Sequence, residues 1–154
     1  MNLEAIQAYV AARLSAAVSL TGVPVVLEDG TYPKTPARED HLRTKGLMLL
    51  VWQIEPGSVV DSSPTGAAVV EVYVPVIVEE NVKVNRAAGG TGIHAEQAVR
   101  HVIQAVTGRP DPRVGANRGF ELLDPWFRNF GCTGGVQRFV VNLSIQITLT
   151  PVQP

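Results

Sequence analysis

The sequence has one cysteine, Cys132, only three lysines, and no apolar run of the 18 or more residues that a membrane-spanning helix needs. A lone cysteine excludes an intramolecular disulfide and any zinc cluster built on thiolates. A scaffold held by oxidised cysteines is thereby excluded, and a reducing compartment is expected rather than secretion. Charge is sparse as well: 18% of residues are charged, the formal net charge is −1 and the pI is about 6.3. Such a chain has no whole-molecule field to steer it onto nucleic acid or an anionic membrane. The first residues, MNLEAIQAYVAARL, place Glu4 ahead of any basic residue and contain no unbroken apolar stretch. No signal peptide is expected there, and the expectation is a soluble chain made inside the cell.

Apolar residues are plentiful, at 45% of 154, and valine alone supplies 24 of them. That balance excludes intrinsic disorder, and the length fits one domain, 1–154, burying roughly 70% of its unfolded surface. β-Branched side chains suit a pleated, half-buried surface, so the composition leans towards strand.

Residues 2–19 carry Leu3, Ile6, Val10, Leu14 and Ala17 at spacings of three and four, with Glu4, Gln7 and Arg13 off that stripe. This predicts an amphipathic helix, with Asn2 as N-cap and Thr21-Gly22 as the stop. A short strand over 23–28 follows, then a polar, aperiodic loop over 30–44 containing His41. Residues 46–55 are nearly continuous in apolar side chains, the pattern of a strand buried on both faces. Pro56-Gly57 is read as a break, with a second loop over 57–65. The strand over 67–80 sets Val70, Val72, Val74, Val76 and Val78 on one face and Glu71, Tyr73, Pro75 and Glu79 on the other. Pro75 has no N–H for a ladder, so that strand is expected at an edge or with a bulge.

A Gly-rich link over 86–92 leads to a helix over 92–107, with Ile93, Val99, Val102, Ile103 and Val106 as its stripe and Gly108 and Pro110 ending it. The loop over 109–135 is rich in Pro, Gly and Arg and holds an aromatic cluster, Trp126, Phe127 and Phe130. From 138 to 149 apolar and polar residues alternate strictly, the pattern of a long antiparallel strand over a core. The order α-β-β-β-α-(β)-β predicts an α+β fold: a two-layer sandwich, a mostly antiparallel sheet with two helices packed on one face.

Four features of the sequence have the residue types that chemistry needs. Gly90-Thr91-Gly92-Ile93-His94-Ala95 has the form G-x-G-x-x-A ahead of a helix. A dinucleotide site needs those glycines tight against a strand end and an acid on a second strand about 20 residues on. Here the strand ends near Glu80, and the available acid, Asp111, is in a Pro-flanked loop, so the segment reads as a flexible link into a helix capped by Thr91. His94 and His101 share a helix face but lie roughly 10 Å apart along the axis, too far for one metal. Nothing near Cys132 activates a thiol. Glu79 and Glu80 point to opposite faces of a strand, and Glu71 and Glu79 share a face at too great a separation for paired-carboxylate catalysis. No catalytic, cofactor or metal residue is assigned, and the chain is not expected to be an enzyme.

Arginine stands out instead. Arg38 and Arg43 lie in the first loop, and Arg109, Arg113, Arg118 and Arg128 lie over 109–130. They read either as interface residues, where a planar guanidinium pairs bidentately with carboxylates, or as solubilising charge. Trp126 and Phe127 read either as a core plug or as an interface anchor.

The long strand ending in Glu79-Glu80-Asn81, then Val84-Asn85-Arg86, a Gly-rich link and an amphipathic helix resembles the tail terminator (tail completion) proteins of long-tailed bacteriophages and prophages. The resemblance spans nearly the whole chain in layout. It implies a homo-oligomeric ring, typically a hexamer, that caps the tail tube, ends polymerisation of the tube protein and meets the head-tail connector. It also implies assembly in the host cytoplasm followed by residence in the virion tail, with no cofactor. A small-molecule-binding or scaffolding α+β domain of unrelated, non-phage function is the alternative.

Overall fold

The computed structural model describes residues 3–28, 36–62, 64, 66–108 and 119–149. The elements in chain order are α1 (Leu3–Ala16), a 3-10 turn (Val18–Leu20), β1 (Val25–Leu27), α2 (Pro36–Thr44), β2 (Leu47–Val51), β3 (Glu55–Ser62), β4 (Ala68–Asn81), α3 (Val82–Asn85), α4 (Ala95–Val106), β5 (Glu121–Thr133) and β6 (Val136–Leu149). The strands form one six-stranded sheet in the order β1-β2-β4-β6-β5, with β3 on β4 beyond the end of β2. Every pairing is antiparallel except β1 with β2. The α+β fold read from the sequence is the one observed.

The register of β4 against β6 runs unbroken from Ala68↔Leu149 to Asn81↔Val136. It pairs Val72, Val74, Val76 and Val78 with Ile145, Leu143, Val141 and Phe139 on one buried face. Ile6, Val10 and Leu14 of α1 and Ala98, Val99, Val102 and Val106 of α4 close that face into one core. The spacings of three and four in these helices are what turn their apolar residues towards the sheet. Tyr9 of α1 stacks on Phe120, with ring centroids 5.9 Å apart. Gln7 lies off the stripe but is half-buried: its Nε2 donates to the carbonyls of Glu28 (2.8 Å) and Val51 (3.0 Å), tying α1 to the ends of β1 and β2.

All five residues of β2 are buried. Leu47, Leu49 and Val51 join the core under α1 and α4. Met48 and Leu50 alternate to the other face, and α2 is a further helix in contact with β2 and β4.

Several expectations are corrected. The polar loop over 30–44 holds α2, which the absence of an apolar stripe concealed. The second loop over 57–65 is largely β3. The strand expected over 46–55 ends at Val51. Much of the loop over 109–135 is β5, joined to β6 by Gly134-Gly135, both at positive φ (61° and 80°) as a two-residue hairpin turn requires. Pro75 lies in the most internal strand, buried, not at an edge. Its carbonyl accepts from the Trp52 N–H (2.9 Å), in the interval where β2 has ended and β3 has not begun, so no ladder partner requires the N–H it lacks.

Candidate interaction surface

The link between β4 and α4 is closed by a buried polar cluster. Glu80 continues the inward face of β4 and is fully buried. Its Oε2 accepts from the Ala95 N–H (3.0 Å), the first residue of α4, and its Oε1 accepts from Asn85 Nδ2 (3.0 Å) and Arg86 Nε (3.3 Å). A carboxylate at a helix N-terminus satisfies an open N–H and opposes the positive end of the macrodipole. Asn85 uses both ends of its amide: Nδ2 also donates to the Ile93 carbonyl (2.7 Å), and Oδ1 accepts from the N–H and hydroxyl of Thr91 (3.1 and 2.6 Å).

Two glycines let the chain close on Asn85. A Cβ at Gly90 would lie 2.0 Å from the Asn85 carbonyl oxygen, and one at Gly46 would lie 2.3 Å from the Asn85 nitrogen. The Gly-rich link is therefore a packed junction rather than a flexible one. The helix starts at Ala95 instead of 92. Thr91 does not cap it; His94 stands at the N-cap, and the Gln97 side chain accepts from its N–H (3.0 Å). Glu80 already holds the N–H that a phosphate on the G-x-G-x-x-A segment would seek. On the opposite face of β4, Glu79 is buried and pairs with Arg138 Nη2 (3.5 Å), so the two adjacent glutamates serve opposite faces, as strand alternation requires.

An open concave feature lies elsewhere, on the outward face. Tyr73, Pro75 and Ile77 of β4 and Val140 and Asn142 of β6 form the floor of an open groove of about 400 Å3. Trp52 and Glu55 form one wall, and Leu123, Pro125, Arg128 and Phe130 of β5 form the other. Asn142 Nδ2 donates to the Pro125 carbonyl (3.0 Å), which holds the start of β5 over the floor. The groove is mainly apolar and carries one charge of each sign, Glu55 and Arg128, at its walls. A second apolar surface lies at the end of the sheet where β3 pairs with β4: Val59 is 65% exposed, Val60 49% and Leu149 39%.

The residues singled out from sequence are scattered by the fold. Arg128 is exposed at the groove wall. Trp126 is 43% exposed and packs against Phe127 (5.4 Å), which stacks on the buried Phe139 (5.5 Å). Phe127 is thus joined to the core, while Trp126 stays at the surface. Arg38 and Arg43 fall on α2, and exposed Arg43 pairs with Asp40 one turn back. Arg109, Arg113 and Arg118, together with Asp111, lie outside the described residues. Cys132 is exposed near the β5–β6 turn. Among the described residues, no group of three or more His, Cys, Asp or Glu is placed to hold a metal, and no helix is long and apolar enough to cross a membrane.

No family model matches the chain, and no curated protein matches it. Among solved structures it is similar to a chain of one described as "Virion of native gene transfer agent (GTA) particle". The likeness has a TM-score of 0.54 at 19% identity and covers 94% of this chain and 95% of that one. The protein has the fold of a chain found in a virion.

Proposed function

We propose that the protein is a structural subunit of a phage-like particle, and within that class a tail terminator. Its subunits close into a ring, with a hexamer as the expected stoichiometry. The ring caps the tail tube, ends polymerisation of the tube protein and offers its free side to the head-tail connector. Its partners are other copies of itself, the tube protein and the connector, with no membrane or specific nucleic-acid target. The chain assembles in the host cytoplasm and ends in the virion tail, and its role is non-catalytic.

The observation that carries this reading is the shared fold over nearly the full length of both chains. Two separate apolar surfaces support it, since a closed ring of identical subunits needs two different patches per subunit. A near-zero net charge lets copies approach one another without long-range repulsion. Light scattering on the purified protein is expected to give one defined multiple of 16.5 kDa, and electron microscopy a ring. Added to polymerising tube protein, the chain is expected to shorten the tubes. A strict monomer at high concentration that leaves tube length unchanged would overturn the proposal.

The groove supports a second reading, a small-molecule-binding domain, because its volume of about 400 Å3 falls in the range of ligand pockets. A ligand that raises the melting temperature of the wild type, but not of Tyr73→Ala, would favour that reading.

A further inference from the structure

The two apolar surfaces are separate patches: the groove centres on β4, β5 and β6, and the exposed valines lie towards the far end of β3. The groove is concave and carries an exposed cation, Arg128, on its β5 wall and an exposed anion, Glu55, on the opposite wall, so an incoming anion is drawn to the β5 side. Towards the end of β3, Val59 and Val60 are exposed, and the next residue, Asp61, is an exposed anion. Among the described residues neither Arg128 nor Asp61 has an ion-pair partner.

An edge strand with two neighbouring apolar β-branched residues and no lysine is poorly guarded against association. Pro56 and the two register shifts of β3 break its backbone regularity, which opposes open-ended sheet extension. What β3 has to offer a partner is therefore its side chains.

We propose that the groove of each subunit receives the Val59-Val60-Asp61 segment of a second copy, with the incoming Asp61 paired to Arg128. This rests on the ring reading and adds to it the surfaces that meet. The contact is heterologous: groove and segment are separate patches on one chain, so each subunit fills one neighbour's groove and has its own filled by another. Repetition closes a ring if the rotation per step divides the circle. Apolar contact supplies the association, and the Asp61–Arg128 pair fixes which way the segment lies.

Charge reversal tests the pairing. Arg128→Asp and Asp61→Arg each place like charges at the contact, and each is expected to run as a monomer where the wild type is a ring. The double variant restores opposite charges and is expected to regain the ring. An equimolar mixture of the two single variants is also expected to form one, because each mismatched patch finds its complement on the other chain. The circular dichroism spectrum controls for folding, since both residues are exposed and a folded variant keeps the wild-type spectrum and a cooperative melt even where loss of assembly lowers its midpoint.

Single variants that stay in the wild-type assembly would overturn the pairing while leaving the ring intact. So would folded single variants whose double variant and mixture both remain monomeric. A monomeric wild type would overturn the ring reading and this contact with it.

Discussion

Glu80 and Ala95 are separated by 15 residues, yet the Glu80 carboxylate accepts the Ala95 backbone N–H at 3.0 Å. The last inward position of β4 thus fixes where α4 begins and, through α4, how the helical layer lies on the sheet. Glu80→Ala would remove the acceptor of a buried N–H and open a void beneath Asn85. A loss of about 3 kcal/mol is expected in urea unfolding. Arg86→Ala removes a half-exposed guanidinium but leaves the buried Glu80 carboxylate its Asn85 and Ala95 donors, so it should cost less than Glu80→Ala. Equal costs for the two variants would show that the ion pair, not the helix cap, is what Glu80 supplies.

The glycines of this junction separate two physical reasons for being glycine. Gly46 and Gly92 both have positive φ, at 80° and 73°, but only Gly46 has Asn85 where a Cβ would go. Gly92→Ala meets open space and should cost only the left-handed backbone penalty, about 1–2 kcal/mol. Gly46→Ala adds a steric conflict with main-chain atoms and should lower the melting temperature much further. Gly90→Ala, with no positive φ, isolates the steric part and should also exceed Gly92→Ala in differential scanning calorimetry.

Periodicity was readable wherever one face of an element meets the core. The stripes of α1 and α4 and the alternation in β4 and β6 find most of the buried residues, although Ala17, Val70, Ile93 and Ile103 are only partly buried and Leu149 is exposed. Where an element meets the core weakly, the apolar pattern is absent and other signals decide. In α2 these are Pro36 at the first position, Glu39 in the first turn, His41 and Arg43 in the last, and Gly46 after the end. Pro56-Gly57 looks like a break, but Gly57 lies within β3 because a Cβ there would come 2.4 Å from the Glu71 carbonyl oxygen. Gly134-Gly135 was a hairpin signal for β5 that the irregular sequence before it obscured. Of the groove, only Arg128 was singled out as a candidate interface residue. Trp52, Tyr73 and Phe130 come from separate segments and converge only through strand order, which no local pattern encodes.

Trp126 and Phe127 are neighbours with opposite duties. Phe127 stacks on Phe139 and packs against the core, whereas Trp126 is 43% exposed. Phe127→Ala is expected to destabilise the fold by about 2–3 kcal/mol, below the full-burial range because the ring is only partly covered. Trp126→Ala should leave the melting temperature within a few degrees of wild type. A larger loss at Trp126 in thermal unfolding would reverse these assignments.

Gln7 shows how one polar residue on an amphipathic helix can hold two strand ends. Its Nε2 donates to the carbonyls of Glu28 and Val51, and the Val51 carbonyl also accepts the Glu28 N–H (2.9 Å). Gln7→Ala would therefore leave Val51 with one bond and cost about 1–2 kcal/mol. Gln7→Glu should be worse despite its similar size, because a carboxylate would face two carbonyl oxygens with no proton to share. Arg13→Ala is the matched control on the same helix, since its bond to the Ala105 carbonyl (3.2 Å) is exposed and water can replace it. Urea midpoints are expected to fall in the order wild type, Arg13→Ala, Gln7→Ala, Gln7→Glu. A Gln7→Glu variant as stable as Gln7→Ala would mean that the glutamate side chain turns out to solvent instead of facing the two carbonyls.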